Sequence, residues 1–263
     1  MAAKPRVLVL RAAGINCDVE TAFAFERAGA EPLIAHVNRL VEKSVRLADF
    51  QILAGPGGFS YGDDVGAGRI FALELERRLG GELGEFVARG GLVIGICNGF
   101  QVLVKTGILP GRPEWPAGAA VTLAQNDSQK YEDRWVTLQV LDTPCVWVRP
   151  DGRAPRLIEL PVAHGEGKFL PRSDQVLEAL RANRQVVLRY VRPDGGEAEY
   201  PENPNGAVRA VAGICDPSGR VLGLMPHPER YISLRHHPLW TRGKGREPGD
   251  GFAFFENAVR ALR

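Results

Sequence analysis

Hydrophobic positions along this chain fall into two kinds of run. Residues 6–10, 32–35, 50–54 and 92–96 are short, dense apolar stretches without polar alternation. That is the pattern of strands buried on both faces of a parallel sheet. Between them the apolar positions recur at helical spacing. A helix starting at Asn16 or Asp18 carries Val19, Ala22, Phe23 and Phe25 toward Gly29, its expected C′ residue. A second covers about residues 70–89, with a break expected at Gly80-Gly81, and a third follows Cys97, with Phe100, Leu103 and Val104 on one side. Strands alternating with helices across short turns predict an α/β fold with a doubly wound, mainly parallel sheet flanked by helices.

The middle of the chain changes character. Residues 120–124, 134–141, 146–149 and 157–162 are short, partly alternating runs divided by Asp142-Thr143-Pro144 and Pro150-Asp151-Gly152. They predict antiparallel strands and hairpins added to the sheet. A helix over 173–181 and a strand over 185–191 follow. Strands over 208–215 and 221–224 flank a hairpin turn at Asp216-Pro217-Ser218-Gly219, and an amphipathic helix over 252–262 closes the chain. No internal repeat or low-complexity linker divides the sequence, so residues 1–263 read as a single domain.

Composition removes several classes. The 263 residues, 44% hydrophobic and 24% charged with net charge +2, suffice for a large core and do not suggest disorder. No basic stripe with interleaved aromatics calls for nucleic acid, and the basic residues between Arg235 and Arg246 read as a solvated loop. The apolar residues 7–10 are too few for a signal-peptide core, and no later run could span a bilayer. A cytoplasmic protein without membrane contact is expected. Cysteines stand at 17, 97, 145 and 215, with no C-x-x-C and no histidine at ligand spacing, so neither a metal site nor a disulfide framework is expected. Cys17 reads as a packed core residue, Cys145 and Cys215 as strand residues, and His36, His236 and His237 as surface histidines. Trp115, Trp135, Trp147 and Trp240 read as packing residues.

One stretch carries chemistry. Gly95-x-Cys97-x-Gly99, at the end of an apolar run and the start of a helix, has the spacing of a nucleophile elbow with cysteine in place of serine. A side chain at the apex of a sharp strand-to-helix turn needs neighbours without Cβ, and the helix N-terminus favours thiolate over thiol. A cysteine nucleophile needs a base, and the base an orienting partner. Pro226-His227-Pro228-Glu229 can supply both, because alternate residues of an extended, proline-stiffened segment point to one side. By itself that segment reads equally well as a rigid turn whose His and Glu face solvent. Gly55-Pro56-Gly57-Gly58 follows a strand, and its glycines let backbone N–H groups point into a cleft. The N–H groups of Gly58 and Asn98 are candidates for an oxyanion hole. The loop lacks the lysine and hydroxyl of a Walker-type phosphate loop.

Together these residues resemble the class I glutamine amidotransferase family, with its flavodoxin-like fold, and more narrowly the glutaminase subunits that serve phosphoribosylformylglycinamidine synthases. Gly14-Ile15-Asn16-Cys17-Asp18, the 57–63 stretch from Gly57 to Asp63, Cys97-Asn98-Gly99-Phe100-Gln101, Ala163-His164-Gly165-Glu166-Gly167 and the 224–230 stretch around His227 carry the resemblance, with Asn203-Pro204-Asn205-Gly206 beside them. The resemblance implies Cys97 as nucleophile with His227 and Glu229 as partners, Gly58 and Asn98 at the oxyanion, and Gln101 beside the substrate glutamine. It implies hydrolysis of glutamine to glutamate and ammonia, no cofactor in this chain, and ATP and magnesium on a synthetase partner, in a complex that can include a small accessory subunit. The same elbow also serves other amidotransferases and related cysteine hydrolases. One departure stands out: many relatives carry an arginine where this chain has Gly66.

Overall fold

The computed structural model describes residues 3–111, 120–148 and 156–263. In chain order its strands are β1 (Arg6–Arg11), β2 (Glu31–His36), β3 (Ile52–Gly55), β4 (Leu92–Ile96), β5 (Val121–Ala124), β6 (Glu132–Val140), β7 (Arg156–His164), β8 (Lys168–Pro171), β9 (Val186–Val191), β10 (Val211–Cys215) and β11 (Val221–Leu224). Its helices are α1 (Asp18–Arg27), α2 (Val37–Val41), α3 (Arg69–Ala88), α4 (Asn98–Lys105), α5 (Asp174–Ala182) and α6 (Phe252–Arg260).

Nine strands form one sheet in the order β2-β1-β3-β4-β11-β10-β9-β6-β7. From β2 to β11 every pairing is parallel. From β11 onward every pairing is antiparallel, so the hairpins expected in the middle of the chain extend the same sheet. A separate antiparallel pair joins β5 to β8. All five residues of β4 are buried, which explains why that run shows no polar alternation. No helix of the described residues is long and apolar enough to cross a membrane.

Several sequence expectations need correction. Helix α3 runs unbroken through Gly80-Gly81, because Phe71, Leu75, Leu79, Leu83 and Phe86 maintain a buried stripe across them. That burial outweighs the roughly 1 kcal/mol each glycine costs a helix. The expected strand over 146–149 is a single tight turn, Val146–Val148. There Trp147 is fully buried, its indole N–H donating to the Arg220 carbonyl at 2.9 Å, so burial of one large side chain overrides β-propensity. Cys145 therefore precedes a turn instead of lying in a strand. His237 is buried, packed against Trp135 and Tyr231, not on the surface. Trp135 and Trp147 pack as expected, whereas Trp240 is exposed. The sequence reading missed α2 and β8. Trp115 and the turn at 150–152 lie outside the described residues.

Candidate active site

Cys97 follows β4, which lies between β3 and β11 in the parallel half of the sheet. The Cys97 N–H donates to the Leu224 carbonyl at 2.8 Å, the last link between β4 and β11. At Cys97 the chain turns with φ 51° and ψ −105°, and α4 begins at the next residue. Such a conformation costs an L-residue on the order of 1–3 kcal/mol and persists only where the surroundings enforce it. Here the enforcement is steric. A Cβ on Gly99 would lie 1.9 Å from the Gly55 carbonyl oxygen, and one on Gly95 would lie 2.6 Å from that of Gly99. Gly99 lets the first turn of α4 sit flush on the end of β3, and Gly95 lets that turn fold back onto β4. The Cys97 side chain is nearly buried, with its Sγ 3.7 Å from the Ala163 carbonyl at the end of β7.

His227 follows β11, the strand beside β4, and its N–H donates to the Pro161 carbonyl of β7 at 2.9 Å. Its Nδ1 lies 2.6 Å from Oε1 of Glu229, with both side chains buried. Nδ1–H therefore donates to the carboxylate, and the solvent-facing alternative for this segment is excluded. Among the described residues Nε2 of His227 and Oε2 of Glu229 have no hydrogen-bond partner. Burial pulls the imidazole pKa down, but the Glu229 carboxylate, then Cys97 and Cys17, more than offset this. The net direction is well above the ordinary value. A proton on His227 is thus favoured beside Cys97.

Gly58 has φ 151°, and a Cβ there would lie 2.7 Å from both the Gly14 oxygen and the Ile15 Cα. Its loop is pinned to the β1–α1 turn by Phe59 N–H donating to Gly14 (2.9 Å) and by Asn16 and Cys17 N–H donating to Gly57 (3.4 and 3.2 Å). Those bonds use the Gly57 carbonyl and the Phe59 N–H, and leave out the Gly58 N–H. The Asn98 side chain is fully buried. Its Nδ2 donates to Asp63 and Gln101, and its Oδ1 accepts from the Ser60 N–H. Gln101 Nε2 donates to the Glu166 carbonyl at 2.5 Å. Both polar ends of Gln101 are thus bound within the protein, and the side chain braces the 163–167 segment.

Asp63 and Glu166 lie in stretches that carry the family resemblance but received no role from the sequence, and Tyr131 was not singled out at all. Glu166 Oε2 accepts from the Ala67 N–H at 3.1 Å, and the half-buried Asp63 carboxyl is pushed up by burial, with the Glu166 charge adding to the rise. Tyr131 stacks near the exposed Phe59 at 6.1 Å between ring centres, and its hydroxyl is raised by burial and then by the charge of Cys97. Those two rings mark the mouth of the site. Gly66 has φ 108° and open space around its Cα, so an arginine in its place would meet backbone strain but no steric block. Cys17 is buried as expected, yet its Sγ lies 4.0 Å from Nδ1 of His227. No spacing in the sequence signals that contact. Among the described residues, Cys17, His227 and Glu229 form a group with ligand atoms within 4.8 Å of one another. Arg230 Nη2 donates to the Cys17 sulfur at 3.0 Å, however, and a guanidinium there opposes a cation.

Residues 4–261 match the family model of the CobB/CobQ-like glutamine amidotransferase domain. The "Phosphoribosylformylglycinamidine synthase subunit PurQ" of Dehalococcoides mccartyi is 48% identical over 262 residues, covering 99% of this chain and 98% of that one. The subunit of the same name from Archaeoglobus fulgidus is 39% identical, covering 98% of this chain and 97% of that one. Among solved structures, a chain of PurLQS from Thermotoga maritima superposes with a TM-score of 0.75 at 31% identity, over 99% of this chain and 100% of that one. A further glutamine amidotransferase from the same organism, with a TM-score of 0.56 at 13% identity, shares the fold. This chain belongs to the CobB/CobQ-like glutamine amidotransferase domain family and, within it, to the PurQ subunits of phosphoribosylformylglycinamidine synthase.

Proposed function

We propose that this chain is the glutaminase subunit of a phosphoribosylformylglycinamidine synthase, acting in purine biosynthesis through a Cys97 thioester. One observation carries the assignment of residues: a cysteine held at φ 51° at the apex of a strand–helix turn, beside a strand that leads into a buried His–Glu pair at 2.6 Å.

The chemistry follows from that arrangement. Cys97 Sγ, its proton on His227, attacks the side-chain carbonyl carbon of glutamine. Negative charge develops on the amide oxygen, where the Gly58 and Asn98 N–H groups stabilise it. His227 gives its proton to the leaving nitrogen, the C–N bond breaks, and ammonia departs from a γ-glutamyl thioester. Water, deprotonated by His227, attacks that thioester. The C–S bond breaks, glutamate leaves, and the proton remains on the imidazole opposite a restored thiolate. Glu229 holds the ring through Nδ1 and stabilises its charged form. Gln101 shapes the pocket wall through Glu166, beside the substrate.

Ammonia then passes to the synthetase partner, which makes the amidine with ATP and magnesium held on its own chain. Support for that partner comes from the PurLQS assembly of the Thermotoga maritima relative. The reading treats residues 1–263 as one catalytic domain, supported by the single sheet that carries both Cys97 and the His227 segment. With that reading goes a cytoplasmic location.

The test is Cys97→Ala assembled with the synthetase. Glutamine-dependent synthesis is expected to disappear while ammonium-dependent synthesis continues. Equal loss of both in a folded, assembled complex would overturn the proposed division of labour.

A further inference from the structure

Cys17 stands at the junction of two parts of the site that the mechanism requires to be aligned. Its backbone N–H donates to the Gly57 carbonyl at 3.2 Å, fixing the plane of the Gly57–Gly58 peptide on the oxyanion side. Its sulfur lies 4.0 Å from Nδ1 of His227, accepts from Arg230 Nη2 at 3.0 Å, and contacts Asn16 Oδ1 at 3.1 Å. A Cβ on Gly57 would lie 2.7 Å from His227 Cε1 and 3.1 Å from Cys17 Sγ, so the three pieces are in van der Waals register. Arg230 is held at its other end by Glu20 of α1, its Nε donating at 3.2 Å.

This arrangement answers a difficulty in the His227–Glu229 pair. Arg230 follows Glu229 directly and feels its charge. A guanidinium free to bond that carboxylate would compete with Nδ1–H for Oε1. A water in the same place would compete too. The Cys17 sulfur is large and weakly polar. It keeps solvent from the Nδ1 side of the ring and gives Arg230 a partner other than Glu229. The guanidinium then acts on the carboxylate through space.

We propose that Cys17 is a positioning residue of the glutaminase reaction. Its sulfur parks Arg230 away from Glu229 and backs the His227 ring, while its backbone aims the oxyanion loop. The proposal rests on the reading that Cys97, His227 and Glu229 carry out the hydrolysis. The thiol itself takes part in no bond-forming step.

The test uses the full chain assembled with its synthetase partner. Cys17→Ala is expected to lower kcat for glutamine hydrolysis about 10- to 100-fold, the scale of a small misplacement of reacting groups, with KM within about twofold. Iodoacetamide alkylation of Cys97, followed by peptide mass spectrometry, is expected to slow in the same variant. Cys17→Ser keeps a polar acceptor for Arg230 and is expected to recover most of the rate. Cys17→Val fills the space without an acceptor and is expected to behave like Cys17→Ala. Unchanged kcat in Cys17→Ala overturns the proposal. So does full activity in Cys17→Val, which would reduce the residue to packing. If Cys17→Ala does not fold, the Ser and Val variants decide alone, and equal activities in those two overturn it. Glutamine turnover surviving in Cys97→Ala would instead overturn the underlying reading, whatever the Cys17 variants do.

Discussion

His227 and Glu229 face each other across a single intervening proline at 2.6 Å, with both side chains buried. Removing the carboxylate charge without changing its shape tests that relationship. Glu229→Gln is expected to lower kcat for glutamine hydrolysis about 100-fold with KM nearly unchanged, since orientation and charge of the ring matter most in the transition state. Steady-state glutamate release measures both constants. A parent-like kcat would show that the pair has no part in turnover.

Gly58 is expected to tolerate no side chain. Alanine there would need φ 151° and would press its Cβ against Gly14 and Ile15, forcing the loop off the β1–α1 turn. Losing one oxyanion donor lowers kcat by roughly 100- to 1,000-fold. Gly58→Ala should show a loss of that size while Cys97 still reacts with iodoacetamide. A parallel fall in alkylation would locate the damage at the nucleophile.

Two glycines of the helices make opposite predictions. Gly99→Ala drives a Cβ to 1.9 Å from the Gly55 oxygen and should destabilise the fold by about 3 kcal/mol. Gly80→Ala, with nothing within 4 Å of its Cβ in mid-helix, should stabilise it by about 0.5–1 kcal/mol. Denaturant unfolding of the two variants measures both. Shifts of the same sign would contradict the packing described for α3 and α4.

Acid stability should depend on His164. Burial, and next the charge of His227, lowers its pKa to about 3. An unfolded histidine titrates near about 6.5. Between these values the unfolded chain binds the proton and the native one does not. Stability therefore falls as pH drops from about 6.5 toward 3, with a slope of up to about 1.4 kcal/mol per pH unit. His227 has the opposite shift. Its contribution is complete below about 6.5 and is lost only as pH rises through its folded pKa, so it adds no slope in the acid window. His164→Asn should flatten the acid limb of unfolding free energy measured from pH 7 to pH 4. An unaltered limb would assign the acid sensitivity to other groups.

The parallel half of the fold and the elbow were legible because their signals are local. Dense apolar runs record burial on two faces, and the glycines flanking Cys97 record contacts with the next strand and within the turn itself. What escaped was tertiary. Cys17 meets His227 only because β1 and β11 deliver their ends to the same side of the sheet. His237 looked like a surface residue in a basic loop, yet Trp135 and Tyr231 enclose it. Val146-Trp147-Val148 has strong β-propensity, but the hydrogen bond from Val146 N–H to the Gly219 carbonyl and the buried indole make it a turn. The glycines of α3 mislead for a related reason, since the leucines that rescue the helix act through the sheet beneath it.

The pairing of β4 with β11 has a consequence for the newborn chain. Ile96 lies opposite Leu224, almost half the sequence away, and of the strands between them β6, β7, β9 and β10 occupy the far side of the sheet while β5 and β8 pair separately. On the ribosome Cys97 emerges long before the strand that must lie against β4. A nascent or truncated chain ending before β11 carries Cys97 without its imidazole, and the edge of β4 that receives β11 remains open. A copy that stops short of His227 therefore leaves glutamine untouched, whereas that open edge is exposed to wrong pairing until Val221–Leu224 has been made.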